Sequence, residues 1–88
     1  ATRVERLGRP AGRIDALDVA PDGRIAFIRA RSLWVAAPDG GSARRILRAG
    51  GRFASLGSPS WSPDGGRIAF DWLRCPARTL DIYTVRPD

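Results

Sequence analysis

Hydrophobic and polar positions along the chain fall into short runs of the length and alternation that β-strands require. Residues 13–20 alternate in type and place Leu17 and Val19 on one face of an extended strand. Residues 24–28 are almost continuously apolar, as expected for a strand covered on both faces. Two more strands are predicted, at residues 32–36 and 43–47. Together these runs predict an antiparallel unit of four short strands.

The turns between these strands carry a repeated sequence. A Pro-Asp-Gly turn begins at Pro21, and a Pro-Asp-Gly-Gly turn begins at Pro63. Proline presets φ at the first turn position, aspartate bonds its own backbone, and glycine supplies a positive φ. Both segments are therefore predicted to be β-hairpins. Asp22 and Asp64 are interpreted as turn residues rather than as a pair of catalytic or metal-binding carboxylates.

The hairpins belong to a longer repeat. Val19 and Trp61 lie 42 positions apart, and Leu7 and Leu47 lie 40 apart. A period of about 40–45 residues with four short strands is the spacing of a propeller blade. In this phase, residues 1–7, with a strand at residues 3–7, form the fourth strand of a preceding or partner blade. Residues 8–48 form a complete blade, and residues 49–88 form the first three strands of the next.

The second copy differs from the first in its connections. Residues 49–57 are predicted as a linker to the strand that ends at Trp61, and strands follow at residues 68–70 and 81–85. The connection from Phe70 to Ile82 covers 12 positions, against 6 from Phe27 to Leu33. Loops on a rigid scaffold commonly carry binding residues. We therefore predict residues 71–78 to be a contact loop, with these ligand- or partner-binding residues: Asp71, Trp72, Arg74, Arg78 and Asp81.

Composition mainly excludes classes of function. The chain has 88 residues, which fit one small domain, and its 15 basic residues are all arginine. They are scattered, with only Arg44 and Arg45 adjacent, so the net charge of +6 indicates a solvated surface and no nucleic-acid partner. The absence of histidine excludes a Ser-His-Asp triad and any histidine-ligated metal site within this sequence. Cys75 is the one cysteine, which leaves no intrachain disulfide. No run of apolar residues is long enough for membrane insertion.

The segment from Pro59 to Phe70, followed by Asp81, Ile82 and Tyr83, resembles the WD-repeat-like repeat of TolB-type β-propellers. The first copy is looser, with Val19 where Trp61 stands. The resemblance implies an all-β fold of two four-stranded antiparallel blades, six-bladed when complete. It also implies a periplasmic or other extracytoplasmic location, and it places Trp61 between blades.

The same resemblance implies a non-catalytic scaffold for protein–protein interaction, without a cofactor. Its partner would be another protein or a sister domain, and its neighbouring blades would come from the parent chain or from a homo-oligomer, in which three chains would give six blades. An alternative is the propeller that gates a serine peptidase of the prolyl oligopeptidase or dipeptidyl peptidase type, whose α/β-hydrolase domain would lie outside this chain. A sugar or small-molecule site in the central funnel is a third possibility. This chain itself is predicted not to be an enzyme.

Overall fold

The computed structural model describes residues 4, 14–50, 53–74 and 79–87, and this part of the chain is all-β. Sheet A is antiparallel with strand order β1-β2-β3-β4, and sheet B is antiparallel with order β5-β6-β7. The strands are β1 Ile14–Val19, β2 Ile25–Arg29, β3 Ser32–Ala36, β4 Arg44–Arg48, β5 Phe53–Trp61, β6 Ile68–Arg74 and β7 Thr79–Val85. The described residues include no helix that could serve as a membrane span.

The strands of sheet A confirm the predictions made from the pattern. β3 has the predicted bounds, and β1, β2 and β4 differ from their predicted ranges by one residue at each end. The strand predicted at residues 3–7 lies outside the described residues, apart from Val4, which is exposed and belongs to no strand.

The predictions that two segments are connections, at residues 49–57 and 71–78, are wrong, because strands occupy much of both segments. β5 begins at Phe53, within the predicted linker, and β6 continues to Arg74, within the predicted contact loop. The two extensions pair with each other from Phe53↔Arg74 to Gly57↔Asp71, with bulges on either side of the Ser55–Gly57 pairs. Each extension thereby satisfies the backbone groups of the other. Residues 75–78, with Cys75 and Arg78, lie outside the described residues.

The sequence repeat is present in the structure as two sheets with the same strand register. Phe27 pairs with Trp34 in sheet A, as Phe70 pairs with Tyr83 in sheet B. The Phe27 and Trp34 ring centroids lie 6.3 Å apart, and those of Phe70 and Tyr83 lie 6.1 Å apart. Both pairs are stacked. Residues at the same repeat position therefore occupy the same place in their sheets.

The core lies between the two sheets and is shared by them. Leu33 of sheet A and Ile68 of sheet B are fully buried, and both belong to one apolar cluster. The other buried members of that cluster are Ala20, Ala26, Ile28, Val35, Ala49, Leu56, Trp61 and Phe70. One face of each sheet is thus covered by the other sheet.

Trp61 joins the sheets through its ring and through two hydrogen bonds. Its side chain is buried in the apolar cluster that the two sheets share. Its backbone N–H donates to Asp18 Oδ2 at 2.8 Å, and its indole Nε1–H donates to the Asp18 carbonyl at 3.1 Å. The Arg24 guanidinium lies 4.5 Å from the ring centroid and donates to the Gly65 carbonyl at 2.6 Å. These contacts fix the two sheets relative to each other.

The β2–β3 hairpin is closed by a strained turn. Ala30 and Arg31 have φ values of 49° and 61°, and neither is a glycine or an asparagine. Two successive positive φ values define a turn that favours Asn-Gly.

We expect the double substitution Ala30→Asn and Arg31→Gly to stabilise the fold by about 1 kcal/mol, because each L-residue in this region costs roughly 1–2 kcal/mol. A urea titration should show a higher midpoint with an unchanged slope, and a lower midpoint would contradict the prediction. The control Ala43→Gly, at a residue without positive φ, should give no such gain.

Candidate interaction site

The residues predicted as one contact surface lie on two different faces of sheet B. Asp71 and Trp72 are consecutive in β6, so their side chains point to opposite faces. Asp81 pairs with Trp72 and shares its face, on which Trp72 packs against the core. Arg74 is the last residue of β6, and Arg78 lies outside the described residues. Of the three described residues whose face is defined (Asp71, Trp72 and Asp81), only Asp71 lies on the face that points away from sheet A.

That outer face carries a groove. Its cross-strand pairs include Ala69↔Thr84 and Asp71↔Ile82, and Ile82 is 80% exposed. The groove has a volume of about 280 Å³, and it is lined by Ser58, Ala69, Phe70, Asp71 and Ile82. No ion pair to the Asp71 carboxylate is formed within the described part of the chain. We call the surface formed by Ala69, Asp71, Ile82 and Thr84 the open face of sheet B.

Sheet A also carries exposed apolar residues on the face that points away from sheet B. Leu17 and Val19 lie on it together, as the sequence pattern predicts, and they are 56% and 51% exposed. Leu17 pairs with Phe27, whose ring stacks on Trp34. The Arg29 guanidinium lies 4.1 Å from the Trp34 ring centroid, at one end of the patch. We call the surface formed by Leu17 and Val19 the open face of sheet A. Phe27 and Trp34 lie on the same side of the sheet, where Phe27 is only 3% exposed. The sequence pattern identified its two exposed members as neighbours but could not show how much of this side of the sheet is buried.

Asp22 and Asp64 shape their hairpin turns, as predicted. Asp22 Oδ1 accepts the Arg24 backbone N–H at 3.1 Å, and Asp64 Oδ1 accepts the Gly66 backbone N–H at 2.9 Å. Asp22 also forms an ion pair with Arg24, with 2.8 Å between Oδ2 and Nε. Among the described residues, no group of three or more Cys, Asp or Glu side chains is placed to hold a metal ion. These bonds give both carboxylates a structural role.

The same bonds predict how these carboxylates titrate. The Arg24 backbone N–H is the main cause that lowers the Asp22 pKa, and the Ser62 hydroxyl is the main cause that lowers the Asp64 pKa, each below the ordinary 3.8. A depressed folded-state pKa adds stability above the unfolded value, and that stability is lost as the pH falls through the folded value. We expect NMR titration to place both pKa values below 3.8. Ser62→Ala should raise the Asp64 pKa and leave that of Asp22 unchanged. An Asp64 pKa at or above 3.8 in the unaltered chain would contradict this assignment.

Comparison with known proteins adds no relative to this picture: no protein-family model, curated protein or solved structure matches the chain. The function proposed below therefore rests on the internal repeat, the two open faces and the contacts between the sheets.

Proposed function

We propose that this chain is part of a non-catalytic, propeller-type scaffold for protein–protein interaction, in which each sheet is a blade that packs between two neighbours. The observation that carries the proposal is the match between the covered and the open faces. Ile68 and Phe70 of sheet B cover sheet A. Their repeat equivalents, Ile25 and Phe27, lie on the open face side of sheet A, because they pair with Val19 and Leu17.

The second set of faces follows the same rule. Leu33 and Val35 of sheet A form its covered face. Their repeat equivalents in sheet B are Ile82 and Thr84, which lie on the open face. Each sheet thus has two different faces. One corresponds to the face with which sheet B covers sheet A, and the other corresponds to the face of sheet A that sheet B covers. Sheets built in this way can be stacked in either direction, which is the principle of repeat architectures and of the blades of a propeller.

The chemistry of the chain supports a binding role over a catalytic one. The sequence contains no histidine to act as a general base. The turn carboxylates Asp22 and Asp64 are held by hydrogen bonds to their own hairpins, and Asp18 accepts two hydrogen bonds from Trp61. The exposed apolar residues Leu17, Val19 and Ile82 favour recognition of a partner, since exposed apolar patches mark interaction sites.

The scaffold role is tested by photo-cross-linking in the cells that make the protein. A photoreactive amino acid is placed at Leu17 or Ile82, one on each open face, or at the control position Ala43, which is exposed and lies between β3 and β4. We expect discrete protein adducts from positions 17 and 82 and none from position 43. Adducts from neither face would contradict the proposal.

The purified chain is expected to show no turnover of ester or peptide substrates, because its sequence contains no histidine to activate a serine or cysteine nucleophile. The measurement is the rate of chromogenic ester and peptide cleavage, compared with that of the heat-unfolded chain. Turnover that one point substitution in the folded chain abolishes would reject the non-catalytic assignment.

A further inference from the structure

We infer that the groove on the open face of sheet B binds an arginine side chain of a partner protein, with Asp71 as its counter-ion. The inference rests on the proposed scaffold function and names the chemistry of one partner. The groove is accessible, because Ser58, Ile82 and Thr84 around it are exposed. Its volume of about 280 Å³ lies below the roughly 300–1,000 Å³ of small-molecule pockets, so its size suits one inserted side chain.

Asp71 gives the groove its charge. Its cross-strand neighbours are Gly57 on one side and Ile82 on the other. A Cβ atom at Gly57 would lie 2.9 Å from Asp71 Oδ1, so the lack of a side chain there makes room for the carboxylate beside β5. Asp71 alone is charged among the described side chains of β6 and β7 on this face, which are Ala69, Asp71, Leu73, Ile82 and Thr84.

Ser58 lines the groove from a bulge in β5. The bulge lies between the pairs Gly57↔Asp71 and Ser60↔Ala69, and Ser58 has a φ of 51° although it is not a glycine. Bulges and strained backbone positions concentrate next to functional sites. The backbone beside Asp71 is therefore shaped as it commonly is at a binding site.

The repeat shows that the charge is specific to the open face. Ile28, at the position equivalent to Asp71, is buried in the core that the two sheets share. Val35, equivalent to Thr84, is buried there as well. An apolar surface that covered the open face of sheet B in the same way would bury the Asp71 carboxylate without a partner, which is strongly unfavourable. The occupant must therefore bring a positive charge to Asp71.

The apolar surroundings of Asp71 indicate arginine as that positive group. Ile82, which is 80% exposed, offers apolar surface beside the carboxylate. An arginine side chain has an apolar stem and a planar, weakly hydrated guanidinium that pairs with a carboxylate through two N–H groups. The interface within the chain already uses such a side chain, since the Arg24 guanidinium of sheet A lies 4.5 Å from the Trp61 ring centroid of sheet B.

The inference is tested by photo-cross-linking in the cells that make the protein. A photoreactive amino acid is placed at Thr84, which is exposed on the open face of sheet B, so that the residues lining the groove stay in place. We expect protein adducts whose cross-linked segment, identified by mass spectrometry, contains an arginine. Asp71→Asn should reduce these adducts about tenfold or more. The matched control Asp81→Asn removes the same charge from the opposite face of sheet B and should leave the adducts unchanged.

Gly57→Ala tests the position of the carboxylate without removing its charge. The added methyl group displaces Asp71 Oδ1, so we expect a loss of adducts smaller than that of Asp71→Asn. Urea midpoints of the purified variants, compared with that of the unaltered chain, separate failure to bind from failure to fold. If Asp71→Asn lowers the midpoint, Gly57→Ala decides in its place. Unchanged adducts from both variants would overturn the inference.

A double-mutant cycle tests the ion pair itself. The cross-linked segment is made as a synthetic peptide that carries either its arginine or citrulline, which keeps the shape and lacks the charge. The Kd of each peptide for the purified 88-residue chain is measured by calorimetry. We expect citrulline to weaken binding to the unaltered chain about tenfold or more and to have little effect on Asp71→Asn. Equal effects on both chains would overturn the inference.

Three further results would overturn the inference. Adducts from Thr84 that lack arginine would leave the scaffold role intact, and so would adducts from Leu17 with none from Thr84. Adducts whose cross-linked segment belongs to this chain would show that a second copy occupies the groove. Adducts from neither face would contradict the scaffold role as well.

Discussion

Trp61→Ala is expected to lower the free energy of unfolding by roughly 3–5 kcal/mol, which is the usual cost of truncating a large buried aromatic residue. The Trp61 side chain is 8% exposed and lies in the core shared by both sheets. The substitution removes this packing, the cation–π contact with Arg24 and the hydrogen bond from the indole to the Asp18 carbonyl. Because a domain of this size has only a few kcal/mol of net stability, most of the stability is expected to be lost.

The matched control is Ile82→Ala, which truncates a large apolar residue that is 80% exposed. This control should change stability by no more than about 0.5 kcal/mol. Both variants are measured by urea unfolding followed by circular dichroism. Equal midpoints for the two variants would mean that Trp61 does not hold the sheets together.

The strands of sheet A and the repeat itself could be predicted from the sequence because their signals are local. Alternation within β1, the apolar run of β2 and the Pro-Asp-Gly turn at Pro21 each specify structure over a few residues. The equivalence of Phe27 with Phe70 followed from the repeat, and the strand registers of the two sheets agree with it.

The length of β5 and β6 could not be predicted in the same way. The first part of β5, from Phe53 to Gly57, and the end of β6, from Asp71 to Arg74, become strands by pairing with each other across bulges. Such pairing depends on distant partners more than on local propensity. The extension of the apolar alternation from Ile68 and Phe70 to Trp72 was the one signal in the sequence that pointed to a longer β6.

Which face of each sheet is covered was also beyond the sequence. The repeat places Ile28 and Asp71 at the same position, one in the shared core and the other on the open face of sheet B. In the sequence alone, the change from Ile28 to Asp71 at this repeat position looks like the loss of an apolar residue within a loop. The structure shows that the difference follows from the sheet order, because sheet B covers position 28 and no described residue of the chain covers position 71.

This difference leads to the second large effect, for Ile28→Asp. Ile28 is 2% exposed and is surrounded by the apolar cluster. An ionised carboxylate there has no partner, and burial costs several kcal/mol, on the order of the total stability of a small domain. We therefore expect the variant to be largely unfolded at neutral pH. Ile82→Asp, the same change at an exposed position, should keep its fold.

The pH dependence identifies the buried charge as the cause. Burial raises the folded-state pKa of the introduced carboxyl above its unfolded value of about 3.9, so the folded state binds the proton more tightly. The destabilisation should then diminish as the pH falls toward and below that unfolded value, and it should grow as the pH rises through the folded one. Ile28→Asn, which is polar but does not titrate, should be destabilised without this dependence. The measurement is urea unfolding from pH 7 to pH 3, and equal pH profiles for the two variants would show that position 28 is open to water.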